Sequence, residues 1–257
     1  MTDLPSTLRP GQPSLLAALR AGATTDLVSL AGDRLSHAEP LAEAAQTFLS
    51  LIFDASPSSF ALVRTYVMVP WHALPAPYKA FTVARDATAD LTPETSVLAL
   101  IATRGSVHEW NDVAASRGHL CIPLTTPDTV RGIPMVAALL TELGLDLNWL
   151  RAPRDLFARQ LVGGFNGVFH VKDAATGADA QDRLIIPAQD FVSANRVGTV
   201  FGGGGAYYDG TVVASIFFTR ETLTRSEAER FGPLASIFKT RTSRLVTSGR
   251  IFAALAR

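Results

Sequence analysis

The stretch that most constrains this chain runs from residue 183 to 221, RLIIPAQDFVSANRVGTVFGGGGAYYDGTVVASIFFTRE. Two apolar, β-branched runs, 197–201 and 211–218, flank four consecutive glycines and an Asp209-Gly210 pair. Asp-Gly supplies the positive φ of a tight hairpin turn, so the segment reads as an antiparallel hairpin at the centre of a sheet. Each glycine gives up packing and loses more backbone entropy on ordering. Four in a row predict a bulge, or a place where backbone comes close to something else.

Global properties limit what such a sheet can serve. A chain of 257 residues can bury a substantial core. Lysine plus arginine equals aspartate plus glutamate at 23 each, so no broad basic surface for nucleic acid or an anionic membrane is expected. One cysteine excludes an intrachain disulfide and fits a reducing compartment. The opening MTDLPSTLRPGQPS lacks the basic patch and apolar core of a signal peptide. No apolar run approaches the ~20 residues of a membrane span. A soluble, cytoplasmic protein is the expectation.

In chain order, 1–14 reads as loose and 15–30 as a short helix through Leu15, Leu16, Leu19, Leu27 and Leu30. Ser36 with Glu39 has capping-box spacing ahead of a helix buried through Leu41, Ala45, Phe48, Leu49 and Ile52. Strands are expected at 60–69, 97–101, 119–124, 165–172 and 183–186, besides the hairpin. Residues 74–81 read as a turn or one helical turn, and 129–143 as a helix restrained by Pro134 and stopped by Gly144. Thr224 with Glu227 opens a terminal helix with Phe231, Leu234 and Phe238 on its apolar side. Lys239, Arg241 and Arg244 gather toward its C-terminal end. The order predicts an α+β fold, a mainly antiparallel sheet covered by helices, rather than alternating βαβ units. The expected division is an N-terminal extension, 1–35, and one domain, 36–257.

The segments EWND, SRGHLCIPLTTPDTVRGIPMVAALLTELGL and IIPAQDFVSANRVGTVFGGGGAYYDGTVVASIFFTRETLTRSEAERFGPLASIFK carry a resemblance over roughly residues 38–246. Together they resemble a GAF-like sensory input region of the kind found upstream of bacterial histidine kinases. The resemblance implies a GAF/PAS-like fold: a six-stranded or similar antiparallel sheet with helices on one side and a pocket on the other. It also implies a noncatalytic sensor of a small molecule or protein, acting through a signalling partner or a homodimer built by the helices at 38–54 and 224–246. Cys121 stands where that family's pattern has alanine, and the kinase or cyclase output is not in the chain.

Each candidate site residue has a functional and a structural reading. Arg64 and Tyr66 alternate along a strand and present groups able to grip an anionic or carbonyl ligand, or simply face solvent. Trp110 and Asn111 sit in a polar loop, where binding groups often stand, although Trp110 also suits a plug beneath that loop. His119 and Cys121, two apart on the expected strand, share a face. They are a thiolate-imidazole pair of a Cys/His-dependent enzyme, ligands with His108 or Glu109 for a metal or heme, or a structural histidine beside a small buried thiol. Gln189 lines a pocket or caps a turn. Gly202 and Gly204 border a ligand or another strand, and they lack the Lys-Ser/Thr of a phosphate-binding loop. The expected site is a pocket between the central hairpin and the 105–119 loop. No cofactor follows from these residues, and a ligand-free interaction module is the alternative.

Overall fold

The computed structural model describes all residues except 1–16, 18–19, 21–24, 86–89, 117, 153–155, 157–166 and 255–257. The readings of 1–14 and of Leu15, Leu16 and Leu19 lie outside the described residues. Among the described residues the helices are α1 (Thr25–Leu35), α2 (Leu41–Ala55), α3 (Ala76–Arg85), α4 (Pro127–Arg131), α5 (Pro134–Glu142), α6 (Gln189–Ala194), α7 (Arg225–Glu229) and α8 (Gly232–Thr247). The strands are β1 (Phe60–Pro70), β2 (Ser96–Gly105), β3 (Cys121–Pro123), β4 (Val168–Val171), β5 (Thr199–Ala206) and β6 (Val212–Thr219). They form one six-stranded sheet, β3-β2-β1-β6-β5-β4, antiparallel throughout. The α+β class and the helix-flanked antiparallel sheet expected from sequence are both present.

Side chains alternate across a strand, so register divides this sheet into two faces. Thr65 pairs with Ser215 and Val67 with Val213. These residues face α2 and α8. On that side Phe217 stacks on Phe201 at 4.9 Å, and Phe231 packs against both at 4.6 and 5.2 Å. Phe48 of α2 meets Phe238 of α8 at 5.0 Å. Burying each ring stabilises by roughly 1.5–3 kcal/mol, with about 0.5–1.5 kcal/mol more for each well-oriented pair. The other face carries Arg64 opposite Ile216 and Tyr66 opposite Ala214. Phe218 on this side meets Phe191 of α6, which meets Trp110, both at 5.4 Å.

The hairpin forms as expected, with Gly210 at φ 81° and the Asp209 carboxylate accepting from the Thr211 amide and hydroxyl. The glycine run is not a bulge. Residues 202–205 continue β5 in unbroken register with β6. Close approach is the reason for them: a Cβ on Gly204 would lie 2.1 Å from the Val213 carbonyl oxygen, and one on Gly205 would lie 2.9 Å from Lys239 Cδ of α8.

Several local expectations are corrected, mostly by proline and by side-chain hydrogen bonds. Ser36 does not cap α2; its hydroxyl donates to the Gly32 carbonyl, and the position before α2 is Pro40. Glu39 instead pairs with Arg244 and Arg250. The 129–143 helix is two helices, because proline disfavours helical geometry at the preceding residue and Ile133, at φ −116° and ψ 90°, leaves it before Pro134. Gly144, at φ 105°, ends α5 as expected. The terminal helix is likewise split: the Thr224–Glu227 capping box opens α7, and α8 begins afresh with Pro233 in its first turn. Residues 183–186 are not a strand; the Asp179 carboxylate holds the Arg183 amide and guanidinium in a turn, leaving one isolated bridge, Ala178 to Leu184. Residues 76–85 form a full helix, anchored where the buried Tyr78 hydroxyl donates to the Leu100 carbonyl at 2.8 Å.

The glycine geometry separates two neighbouring substitutions. Gly204→Ala is expected to destabilise by about 2–3 kcal/mol, because backbone must move to admit the methyl group. Gly203→Ala, whose Cβ would stand 4.0 Å from that of Ala235, is expected to stay within about 1 kcal/mol of the parent. Urea denaturation of both variants decides this; equal effects would contradict the close-approach account.

Candidate functional site

The site grows from the edge of the sheet. β3 is only three residues long, and Cys121 pairs with Ala99 of β2. Helix α3 packs against this edge strand. Beyond β3, Thr126 opens α4 by accepting from the Thr129 amide at 3.1 Å, and the Thr125 and Thr126 hydroxyls lie 3.2 and 2.9 Å from that of Thr129. Between α3, β3 and α4 these elements leave a cleft of about 720 Å³.

The cleft has a polar side and an apolar side. Thr82, Arg85, His119 and the three threonines supply the first; Ile122, Pro123 and Ile133 supply the second. Asp90 is the one carboxylate among its described walls. Arg85 lies in the last turn of α3, where a cation is favoured by the helix dipole. Its Nη1 would stand 3.8 Å from a Cβ placed on Gly118, next to His119. His119 keeps an exposed side chain, yet desolvation of its ring, then Arg64, then Arg85, hold its pKa below the ordinary 6.5. It is therefore neutral at pH 7. Arg64 is half-buried on β1, and its Nε is buried without an acceptor. The Tyr66 phenol beside it is buried, which raises its pKa; Arg64 offsets that only in part.

Burial also pushes the Cys121 thiol up to about 11, and the hydrogen bond with Thr82 offsets part of this shift. A nucleophilic cysteine requires the opposite shift. His119 lies in the approach to β3 rather than on it, since the strand begins at Cys121. Both residues line the cleft. Among the described residues no group of three or more His, Cys, Asp or Glu could hold a metal ion.

Arg64 and Tyr66 do not line the cleft, and the remaining candidates also stand elsewhere. Trp110 packs edge-on against Phe191, over Gly105, where a Cβ would lie 2.9 Å from its ring. Asn111 is occupied within its loop: its Oδ1 accepts from the Gly105 amide at 2.9 Å, and its Nδ2 donates to the Val107 carbonyl at 3.0 Å. Gln189 Nε2 donates to the carbonyls of Ile186 and Ala174 at 2.7 and 3.1 Å, closing the turn before α6. Gly202 and Gly204 occupy the same cross-strand rows as Arg64 and Tyr66, and their backbone borders a separate cavity of about 130 Å³ beneath α8. The hairpin and the 105–119 loop thus do not wall one common pocket. Among the described residues of that loop, Gly118 and His119 at its end reach the cleft. Sequence reading did not single out Arg85, Thr82, Thr126 or Thr129. Thr126 ahead of Pro127, with Thr129 three residues on, was a legible helix start; Arg85 lay beyond a segment read as a turn.

Two measurements check this chemistry. Iodoacetamide is expected to alkylate Cys121 at neutral pH roughly a hundredfold more slowly than a free thiol, because little thiolate is present; free-thiol speed would overturn the account. The His119 NMR titration midpoint is expected below 6.5 and to rise in Arg85→Gln, since removing a nearby cation favours imidazolium. An unfolded chain binds this proton at higher pH than the folded one. The group therefore lowers stability as pH falls through the ordinary histidine range, and has no such effect above it.

No protein-family model and no curated protein matches this chain. Among solved structures, the free methionine-R-sulfoxide reductase from Neisseria meningitidis, in complex with its substrate, is similar over 95% of this chain and 99% of that one, with 10% identity and a TM-score of 0.48. The chromophore-binding domain of an unusual bacteriophytochrome from R. palustris is similar over 94% of this chain and 66% of that one, with 10% identity and a TM-score of 0.43. At these values neither likeness transfers a residue role, a ligand or an activity.

Proposed function

We propose that the chain is a noncatalytic sensory domain that binds a small molecule in the cleft between α3, β3 and α4 and signals through a partner or a dimer change. This is the role that the GAF-like resemblance implies. Residues 36–257 are the sensory unit in this reading, and 1–35 an N-terminal extension whose helix α1 lies against α8. The observation that carries the proposal is an open cleft of about 720 Å³ whose polar wall has one guanidinium, Arg85, one carboxylate, Asp90, and several hydroxyls, with an unionised thiol at neutral pH. A site filled by side chains would favour a ligand-free interaction module instead. In keeping with a protein that works away from the bilayer core, among the described residues no helix is long and apolar enough to cross a membrane.

The route for a signal is a packed one. Cys121 pairs with β2, α2 packs on β2, and Phe48 of α2 meets Phe238 of α8. Ligand-dependent repacking at β3 biases α8 along this path, and α8 carries the change to a second copy or a signalling protein.

Native mass spectrometry of gently purified protein, followed by denaturation and analysis of what is released, tests the binding. A stoichiometric small molecule is expected. With that molecule restored to saturation, amide hydrogen exchange in 232–247 is expected to slow. Bare protein that takes up no small molecule would overturn the binding; unchanged exchange in α8 would overturn the coupling.

A further inference from the structure

The glycine run of β5 has one member without a structural reason. Gly202 and Gly204 admit the backbone of β6 and Gly205 admits Lys239, but beyond its chain neighbours a Cβ on Gly203 would meet nothing nearer than the Ala235 Cβ at 4.0 Å. Gly203 has no positive φ either. It pairs with Ser215 of β6 and Val168 of β4, and its missing side chain leaves open the cavity of about 130 Å³ beneath α8. Gly232, at the start of α8, lines the same cavity, and a Cβ there would also have nothing within 4 Å. From this geometry we infer that the cavity is a binding site apart from the cleft, and that it takes an uncharged apolar molecule the size of a single aromatic ring.

The walls fit such a molecule. Phe48, Phe217, Phe231 and Phe238 contribute rings, which offer stacked and edge-to-face contacts to a further ring. Between them the facing surfaces are small, Gly203 and Ser215 on the sheet against Ala235 on α8. The Ser215 hydroxyl already meets that of Thr65 at 2.8 Å, so it does not demand a polar ligand. Lys239 is the one charged residue among the described walls, and its Cδ stands 2.9 Å from a Cβ placed on Gly205, two residues along the same face from Gly203. An empty space lined by rings forfeits dispersion contacts on its open side, and a side chain at 203 would recover them without backbone strain. Glycine at that position keeps the space for something else. An engineered cavity of roughly 150 Å³ lined by Leu, Ile and Phe stays dry and takes up benzene, which sets the scale of the occupant. Because Ala235 and Phe238 belong to α8, the occupant bears directly on that helix.

The test is a ¹⁵N NMR titration of the whole chain with benzene, and with sodium benzoate at matched ionic strength as its charged counterpart. Benzene is expected to shift the Gly203, Ser215 and Ala235 amides saturably and to leave those of His119 and Thr129, at the cleft, unmoved. Gly203→Leu and Ala235→Leu fill the space from opposite sides, and each is expected to weaken benzene binding by at least about tenfold. Thr240→Leu, an exposed change on the same helix outside the cavity, is expected to leave it unchanged. Thermal melts first show which variants fold. If neither filled variant does, Gly203→Ala is read in their place, with a weakening of about threefold expected. The inference is overturned if benzene does not saturate, if its shifts centre on the cleft, if benzoate binds as tightly as benzene, or if the folded variants bind like the parent. None of these outcomes touches the cleft reading, which the mass measurement tests separately.

Discussion

Pairing of β1 with β6 is the constraint on which the rest of the molecule depends. Both strands are central, and nearly every residue in them is buried. Their register sends Thr65 and Ser215 toward the long helices and Arg64 and Tyr66 to the other face; a slip of one residue would exchange the two sets. Hydrogen bonds secure it at both levels. The buried Thr65 and Ser215 hydroxyls meet at 2.8 Å, the Thr219 hydroxyl donates to the Ser59 carbonyl at 2.9 Å, and the Arg220 guanidinium gathers the Phe60 and Asn195 carbonyls at the strand end. A slip would leave these groups unpaired inside the protein, where each costs about 1–3 kcal/mol.

From that register follow two differently built sides. The α8 side is a packing surface. Gly205 lets a helix sit close to β5, and the ring cluster of Phe201, Phe217 and Phe231 fixes where it sits. The Arg64 side is covered in part by the short helix α6, whose Phe191 bridges Trp110 and Phe218. The cleft lies at the β3 edge, where Cys121 falls in the cross-strand row of Ala99, Val67 and Val213, and β2 and α2 link that edge to α8.

The cleft owes its electrostatics to burial more than to ion pairing. Desolvation keeps His119 neutral, the Cys121 thiol protonated and the Tyr66 phenol intact. The described walls also carry one arginine, Arg85, and one carboxylate, Asp90, so the local field depends on these few groups and not on the 23 acidic and 23 basic residues of the whole chain. Net charge therefore said nothing about this site, because a field at close range depends on which charges lie within a few ångströms and how well water screens them.

Local chemistry in the sequence determined the hairpin at Asp209-Gly210, the capping box at Thr224 and Glu227, the stop at Gly144, the long apolar strands and the α+β class. Each of these rests on neighbours a few residues apart. Proline breaks at Pro134 and Pro233 were visible too, but the apolar period running through them suggested continuous helices. Only tertiary structure decided that Arg64 and Tyr66 share a face with Gly202 and Gly204, that Trp110 plugs against Phe191, that Asn111 and Gln189 spend their hydrogen bonds locally, and that Arg85 joins His119 and Cys121 around one cleft. Those outcomes depend on strand order, on which helix covers the β3 edge, and on how far each charge is removed from water. Contacts between residues tens of positions apart leave no periodic trace in a single chain.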